Sequence, residues 1–353
     1  MRMTKNKRLV TISVVQFFAS VCILARHYSY FLKPDFPIIA SAVGHVTFTD
    51  YFFCCSGFFM HYVYSGKQSV ELGPLLKKRF AKLYPLHLAT TLFYVVILLA
   101  SAHMGSLGTT RSGWDCLLPT VFLTHAFGTV DRQCLNYPSW FLSALFALYV
   151  AYPAIRLLMR KTGAFSVVAI VAVVLIVCEA GYRFDGWLHW SALTYNFGIV
   201  RGIPTFLAGV LIAEFLPAIE SRVTNFWPAY AVFVLAVASM MAGLDPLFCY
   251  GVLPVALVAL LAGAEAHGAN SFLRSPKIVQ VGAWSFPLYL VHVPIAAVVL
   301  NFLFVRYLRL EGVALLVAAV ATAAIAIATS YVLHKVLDDW GPRWWMARRA
   351  LET

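Results

Sequence analysis

The chain has 353 residues, of which 61% are hydrophobic and 12% are charged, and its mean hydropathy is +0.79. This composition excludes an ordinary soluble domain and is typical of a helical protein that crosses a membrane several times. The net charge of +12 could suggest a nucleic-acid-binding protein, but no basic stripe or module of basic and aromatic residues accompanies it. We therefore expect no nucleic acid partner.

The first apolar run extends from Leu9 to His27 and is long enough to cross a hydrocarbon core of about 30 Å as a helix. It resembles a signal peptide because basic residues precede it, but it is too long and has no small-x-small cleavage site, so we predict a retained span. The run ends on Arg26 and His27. A histidine there is a candidate for proton transfer. The alternative is a histidine that only lies at the lipid headgroups beside Arg26.

Apolar runs of spanning length recur along the whole chain. They cover residues 9–26, 42–64, 83–102, 140–159, 164–182, 198–217, 226–243, 246–264, 280–305 and 312–334. Because backbone polar groups in lipid must be satisfied within their own segment, each run is predicted to be a helix. The sequence therefore predicts an all-α integral membrane protein, a bundle of about ten transmembrane helices that forms one domain over residues 1–353.

The distribution of Lys and Arg predicts the orientation of these spans. Nineteen of the 27 Lys and Arg residues fall on the side of the N-terminus, counting loops alternately from it. Since positive residues concentrate on the cytoplasmic side, both termini are predicted to be cytoplasmic. We expect a multi-pass protein of a bacterial inner membrane, with the lipid bilayer as its first partner.

The longest extracytoplasmic segment runs from His103 to Pro138 and contains Cys116 and Cys134. In an oxidising compartment these two are predicted to form a disulfide, the alternative being two free thiols. The other five cysteines lie in apolar runs and are expected to be buried. No Cys or His pair outside the apolar neighbourhood of Cys54 and Cys55 has the spacing of a zinc site, so we predict no metal.

Asp50 lies inside the second apolar run, where an unpaired carboxylate would cost several kcal/mol. It should therefore have a partner. One possibility is His27, which Asp50 would orient as a general base. The other is a structural ion pair with Arg26 or Arg201.

The ninth run carries Ser285, Tyr289 and His292 at intervals of four and three, which places them on one helical face. A polar face on an apolar span indicates a cavity or a helix interface. Pro287 and Pro294 are expected to kink this helix.

Four cations, Lys77, Lys78, Arg79 and Lys82, precede the third run. They are interpreted either as a positive-inside anchor or as a binding site for the phosphates of a cytosolic cofactor.

Six sequence blocks, taken in order, resemble the acyltransferase-3 family of membrane-bound O-acyltransferases. They are the opening helix with His27, the block Asp50-Tyr-Phe-Phe-Cys-Cys-Ser56-Gly-Phe58, the block Arg79-Phe-Ala-Lys82-Leu-Tyr84-Pro85, the block Tyr137-Pro-Ser-Trp140-Phe-Leu-Ser143, the block Arg201-Gly-Ile-Pro-Thr-Phe206-Leu-Ala-Gly209, and the block Gly282-Ala-Trp-Ser285-Phe-Pro-Leu-Tyr289-Leu-Val-His292. The segment Asp338-Asp-Trp-Gly-Pro342 distantly resembles the acidic-x-Pro motif at the end of the family's sequences. Two positions depart from the pattern: Gln16 stands where the family has a cation, and Leu145 where an acidic residue often follows.

The resemblance implies an enzyme that takes an acyl group, usually acetyl, from cytoplasmic acetyl-CoA to a hydroxyl of an extracytoplasmic or lipid-linked glycan such as exopolysaccharide. In this hypothesis His27 is the general base and Asp50 orients it. Donors to the developing oxyanion would come from Arg26, Ser143 or Tyr289. The phosphates of CoA would bind Arg79 and Lys82, with Tyr84 and Lys78 assisting.

Three alternatives stay open. Transfer could pass through an acyl-histidine, or through an acyl-serine at Ser56. A secondary transporter or a flippase of a lipid-linked sugar would also use charged, proline-containing spans. A structural or sensory membrane subunit is the third possibility.

Overall fold

The computed structural model describes residues 9–67, 69–103, 113–133 and 135–349, with side chains described only as far as Leu337. Within these ranges the secondary structure is helical, and no β-strand is present. The α-helices are α1 Thr11–Leu32, α2 Pro37–His45, α3 Thr49–Tyr64, α4 Leu72–His103, α5 Leu117–Val121, α6 Trp140–Thr162, α7 Phe165–Phe184, α8 Gly198–Glu214, α9 Leu216–Glu220, α10 Trp227–Met241, α11 Leu253–His267, α12 Pro276–Val279, α13 Ser285–Ile295 and α14 Gly312–Arg349.

The ten apolar runs predicted from the sequence are largely helical, with a break at residues 46–48 in the second, so the all-α membrane fold is confirmed. In the described ranges, eight helical segments are long and apolar enough to cross a membrane: Thr11–Leu32, Pro37–Tyr64, Leu72–His103, Tyr137–Thr162, Phe165–Phe184, Leu247–His267, Pro276–Tyr307 and Gly312–Leu337. The two remaining runs form α8, with 17 residues, and α10, with 15. Both are shorter than the roughly 20 residues that a bilayer requires.

The centre of the bundle is the pair of helices α3 and α8, whose backbones approach closely at two glycines. A Cβ atom at Gly57 would collide with the carbonyl oxygen of Phe206, and one at Gly209 would collide with that of Cys54. Small residues allow such close packing where no water drives helices together. The Asp50–Arg201 ion pair joins the N-terminal parts of these two helices and a 2.8 Å contact between His61 and Glu214 joins their C-terminal ends, so α3 and α8 run parallel.

Helix α1 is fixed at its N-terminus by a buried carboxylate from α11. Glu265 accepts hydrogen bonds from the backbone N–H of Val10, from the backbone N–H of Thr11 and from the Thr11 hydroxyl, at 2.8, 2.9 and 2.6 Å. The first N–H groups of a helix have no partner within it, and a carboxylate there satisfies them and opposes the helix dipole. Farther along α1, the hydroxyls of Ser20 and Ser285 lie 2.9 Å apart, which joins α1 to α13.

The polar face predicted on the ninth run is an interface with α1 and with the turn Tyr137–Ser139. It belongs to a continuous segment in which α13 is followed by a π-helix, Ala296–Tyr307. The change follows Pro294, which cannot donate a backbone hydrogen bond to the preceding turn.

The segment between α4 and α6 packs against α4. The hydroxyl of Tyr84 donates to the Val121 carbonyl at 3.0 Å, and Nε2 of His87 donates to the Thr120 carbonyl at 3.0 Å, so α5 lies against α4. Cys116, just before α5, is disulfide-bonded. Cys134, its predicted partner, lies outside the described residues, so this pairing stays a prediction. The five cysteines of the apolar runs are free; Cys54, Cys55, Cys178 and Cys249 are buried as predicted, whereas Cys22 is only partly buried.

Candidate active site

His27 lies in the last third of α1, in contact with two aromatic rings from distant parts of the chain. Its Nδ1 is 2.8 Å from the hydroxyl of Tyr137, and the two rings meet edge to face with centroids 5.2 Å apart. The ring of His292 stacks on the other side, with centroids 5.1 Å apart and an interplanar angle of 27°. His27 itself is only partly buried. A histidine held through Nδ1 keeps Nε2 available for proton transfer.

Tyr137 lies in a short turn that is hydrogen-bonded to α13. The hydroxyl of Tyr289 donates to the carbonyl oxygen of Pro138 at 2.6 Å, and the side-chain amide of Asn136 donates to the carbonyl of Leu290 at 2.9 Å. The turn is therefore tied to α13 on both sides of Tyr137. The prediction missed this partner of His27, although the Tyr-Pro-Ser-Trp motif that contains it was part of the resemblance.

Asp50 contacts Arg201 rather than His27, which corrects the predicted orienting contact. Arg201 donates to the two oxygens of the Asp50 carboxylate, from Nε at 3.1 Å and from a terminal nitrogen at 2.6 Å. Both residues are buried, with exposed fractions of 0% and 4%. A planar guanidinium matches a carboxylate in two parallel hydrogen bonds, and burial makes an unpaired charge costly, so this pairing dominates. Of the alternatives drawn from the sequence, the structure shows the ion pair with Arg201.

Arg26 is the one cation beside His27 whose charge has no counter-ion in the described part of the chain. Its guanidinium interacts electrostatically with Arg201, Tyr250 and Tyr137, and no described residue forms a hydrogen bond or ion pair with it. Because Arg201 is neutralised by Asp50, the cluster carries one net positive charge. Such a group can stabilise negative charge that develops on a substrate oxygen.

Ser143 and Tyr289, predicted as further oxyanion donors, donate their hydroxyl protons to backbone carbonyls. Ser143 donates to the carbonyl of Leu123 at 2.5 Å and accepts from the backbone N–H of Ala126 at 3.2 Å. Tyr289 donates to Pro138, as described above. A hydroxyl has one proton to donate. In this geometry both residues hold the backbone around the site, and their role as oxyanion donors stays a prediction.

His292 is completely buried and has an unused acceptor. Its Nδ1 can only donate to the Leu288 carbonyl, 3.1 Å away, which leaves Nε2 as a lone-pair acceptor. This Nε2 is buried and has no hydrogen-bond partner. An unsatisfied buried acceptor costs about 1–3 kcal/mol, so a substrate group that donates to it would bind favourably. The sequence placed His292 on the polar face of its helix but gave it no role in the site.

Of the three cations among the predicted cofactor-binding residues, Arg79 points into the bundle. It lies over the ring of Tyr149 at 5.1 Å, and one of its terminal nitrogens is 3.9 Å from the sulfur of Met60. Its Nε is buried without a partner. Lys78 and Lys82 are exposed, and the hydroxyl of Tyr84 is bonded to the Val121 carbonyl. The hydroxyl of Tyr84 therefore fixes the position of α5, and its contact with a phosphate stays a prediction.

A second group of polar residues lies under the segment that follows α5. The ring of His125 stacks on that of His87, with centroids 6.4 Å apart and an angle of 4°. The hydroxyl of Ser139 donates to Nε2 of His125 at 3.2 Å. Burial, and next the neighbouring His87, lower the pKa of His125 to about 4, against the opposing effect of its hydrogen bonds with Pro119 and Ser139. His125 is therefore neutral at physiological pH, and its ring serves to pack this segment on α4 and α6.

No group of three or more His, Cys, Asp or Glu residues that could hold a metal ion is found among the described residues. The side chains around His27 are imidazole, phenol and guanidinium groups. These can transfer a proton and stabilise an oxyanion.

Comparison with known proteins adds two findings. A family model described as an acyltransferase domain, Acyl_transf_3, matches residues 9–335. The chain is also similar to "Acyltransferase MdmB" of Streptomyces mycarofaciens, with 29% identity over an alignment of 392 positions that covers 98% of this chain and 95% of the relative. No solved structure matches the chain.

Proposed function

Since the chain belongs to the acyltransferase family Acyl_transf_3 and is a membrane acyltransferase, we propose that it transfers an acetyl group from cytoplasmic acetyl-CoA to a hydroxyl of an extracytoplasmic or lipid-linked glycan, such as exopolysaccharide. The proposed location is a bacterial inner membrane, with both termini in the cytoplasm. Both comparisons name acyltransferases, which favours an enzyme over a transporter or flippase.

The observation that carries this proposal is the cluster of His27, Tyr137, His292 and Arg26. It combines a histidine whose Nδ1 is held by a phenol, an unused buried acceptor and a cation without a counter-ion. Acyl transfer to an alcohol requires a base for the hydroxyl proton and a positive group for the oxyanion of the tetrahedral intermediate. The cluster contains both.

The reaction is proposed to be direct. Nε2 of His27 removes the proton of the acceptor hydroxyl while the hydroxyl oxygen attacks the thioester carbonyl. Arg26 stabilises the resulting oxyanion. When the carbon–sulfur bond breaks, the CoA sulfur leaves and takes the proton from the His27 imidazolium, which restores the neutral base.

The donor and the acceptor are proposed to approach from opposite sides. Asp50 lies near the N-terminus of α3, next to Arg201 of the site, and Met60, which contacts Arg79, lies ten residues farther along. At 1.5 Å per residue, Arg79 and the Asp50 pair are about 15 Å apart along α3, and Arg79 is on the side that we propose to be cytoplasmic. Arg79 is therefore proposed to line the path of the thioester arm. Lys78 and Lys82, which are exposed, fit the positive-inside anchor better than a contact with the arm.

The sidedness of donor use tests this proposal. Acetyl-CoA with a labelled acetyl group is added to inverted membrane vesicles, whose cytoplasmic face is outward, and to right-side-out vesicles that contain the same protein. Acetyl-CoA does not cross the bilayer, so we expect labelled glycan only in the inverted vesicles. Labelling of equal extent in right-side-out vesicles would refute the cytoplasmic donor. Absence of any acetylated product with a broad set of glycans would refute the acceptor class.

A further inference from the structure

A cavity of about 370 Å³ lies at the C-terminal ends of three helices that run in the same direction, α3, α6 and α8. We refer to it as the inner cavity. Its polar lining consists of His61, Ser65, Lys67, Arg156, Arg160 and Glu214. On the predicted orientation it opens toward the cytoplasm, because these helix ends lie opposite the end of α3 that carries Asp50.

The inner cavity carries a net positive charge. Its cations are Lys67, Arg156 and Arg160, and its only acidic lining residue is Glu214. The Glu214 carboxylate lies 2.8 Å from Nε2 of His61, whose Nδ1 is 3.2 Å from the hydroxyl of Tyr152. The one negative group therefore already has a partner.

Arg156 shows that this charge arrangement is part of the folded structure. It is buried, with 6% of its surface exposed, and one terminal nitrogen donates to the backbone carbonyls of Ser65 and Lys67. Ser65 is the C-cap of α3, whose carbonyl the helix itself leaves without a donor, and Lys67 lies in the turn that follows. Arg156 thus fixes the chain turn that presents Lys67 to the inner cavity.

The inner cavity adjoins the residues around Arg79. Met60, which contacts Arg79, is followed directly by His61 of the cavity wall. Tyr149, which lies under the Arg79 guanidinium, is one helical turn before Tyr152, which bonds to His61. Polar and cationic side chains therefore continue from the inner cavity toward the middle of the bundle.

We infer that the inner cavity binds the phosphate groups of the acyl-CoA donor, with Lys67 and Arg160 as direct contacts and Arg156 as the residue that positions the turn. This inference rests on the proposed function. It assigns the phosphates of CoA to the inner cavity, whereas the sequence predicts that they bind Arg79 and Lys82 on α4. Three cations match an anion with several phosphates, since hydrogen bonds from Lys and Arg to phosphate are charge-assisted. The phosphate of an anionic lipid headgroup has the same chemistry, so the test must separate the two sources.

The test compares two donors that share the thioester but differ in the phosphates, acetyl-CoA and acetyl-pantetheine. Lys67→Ala, Arg160→Ala and the double variant are purified and assayed in nanodiscs with and without anionic lipid. The matched control is Lys161→Ala, because Lys161 is an exposed cation next to Arg160 that does not line the cavity. Binding of adenosine 3′,5′-bisphosphate is measured for each protein.

We expect each cavity substitution to lower kcat/KM for acetyl-CoA about tenfold through KM, as for the loss of one hydrogen bond to a charged group. The activity with acetyl-pantetheine and all values for Lys161→Ala should stay at the wild-type level. Equal losses with both donors would overturn the inference, as would a loss that follows the anionic lipid content. If wild-type protein transfers acetyl from neither donor, the proposed function itself fails, which these outcomes distinguish from failure of the cavity assignment.

Discussion

The contact between Tyr137 and His27 makes a quantitative prediction for Tyr137→Phe. The substitution keeps the edge-to-face packing of the rings, 5.2 Å apart, and removes the 2.8 Å hydrogen bond to Nδ1. In the resting enzyme that bond joins two neutral groups and is worth about 0.5–1.5 kcal/mol, whereas bonds to a charged group are worth about 1.5–3 kcal/mol. Since His27 becomes an imidazolium only during the reaction, the transition state loses about 1–2 kcal/mol more than the ground state.

This difference corresponds to a fall in kcat of roughly 5- to 30-fold, with KM for acetyl-CoA unchanged. The assay is steady-state release of CoA by purified protein in the presence of acceptor. Tyr30→Phe is the control, because Tyr30 lies three residues beyond His27 on the same helix and 76% of its surface is exposed. A kcat for Tyr137→Phe within twofold of wild type would refute the idea that Tyr137 orients His27.

Three further predictions concern stability, each measured by thermal unfolding in detergent. Asp50→Asn should cost about 3–5 kcal/mol because it leaves Arg201 buried without a counter-ion, and the double variant Asp50→Asn/Arg201→Gln should regain most of the loss; no recovery would contradict the pairing. Gly209→Ala should destabilise the protein strongly by separating α3 from α8, while Gly73→Ala, where an added Cβ meets nothing within 4 Å, should have little effect; equal effects would contradict the close packing. His125, with its pKa lowered to about 4, binds a proton in the unfolded chain below about pH 6.5 but not in the folded one, so it should contribute a loss of stability of about 3 kcal/mol between pH 6.5 and 4, and the loss measured over this range should be smaller by about that amount in His125→Gln; an equal loss in both proteins would contradict the burial of this neutral ring.

The sequence located the helices and His27 but not the partners of the charged residues. Apolar runs of about 20 residues define spans without reference to tertiary structure, because the bilayer sets the length. The partner of His27, by contrast, is 110 positions away on a short turn. For Asp50 the sequence left three candidate partners open, namely His27, Arg26 and Arg201. In the structure Arg201 forms two hydrogen bonds with the carboxylate.

Helical spacing also fails to show where a hydroxyl proton goes or which cation turns inward. The spacing of Ser285, Tyr289 and His292 correctly predicted a shared polar face. It did not show that the Tyr289 hydroxyl donates a hydrogen bond to the Pro138 carbonyl. In the same way, adjacent positions on α4 point in different directions, so Arg79 faces the bundle while Lys78 is exposed. Which of these two cations faces the bundle depends on how α4 packs against α6, and the sequence does not show this.

The most direct test of the proposed mechanism is acetyl transfer by His27→Gln. Glutamine retains a hydrogen-bonding side chain of similar size but cannot take up the hydroxyl proton. His103→Gln is the matched control, because His103 is an exposed histidine at the end of α4. We expect wild type and His103→Gln to transfer acetyl at the same rate, and His27→Gln to be slower by about 10²- to 10⁴-fold while binding CoA normally. Transfer by a folded His27→Gln protein at a rate near that of wild type would show that another residue is the base.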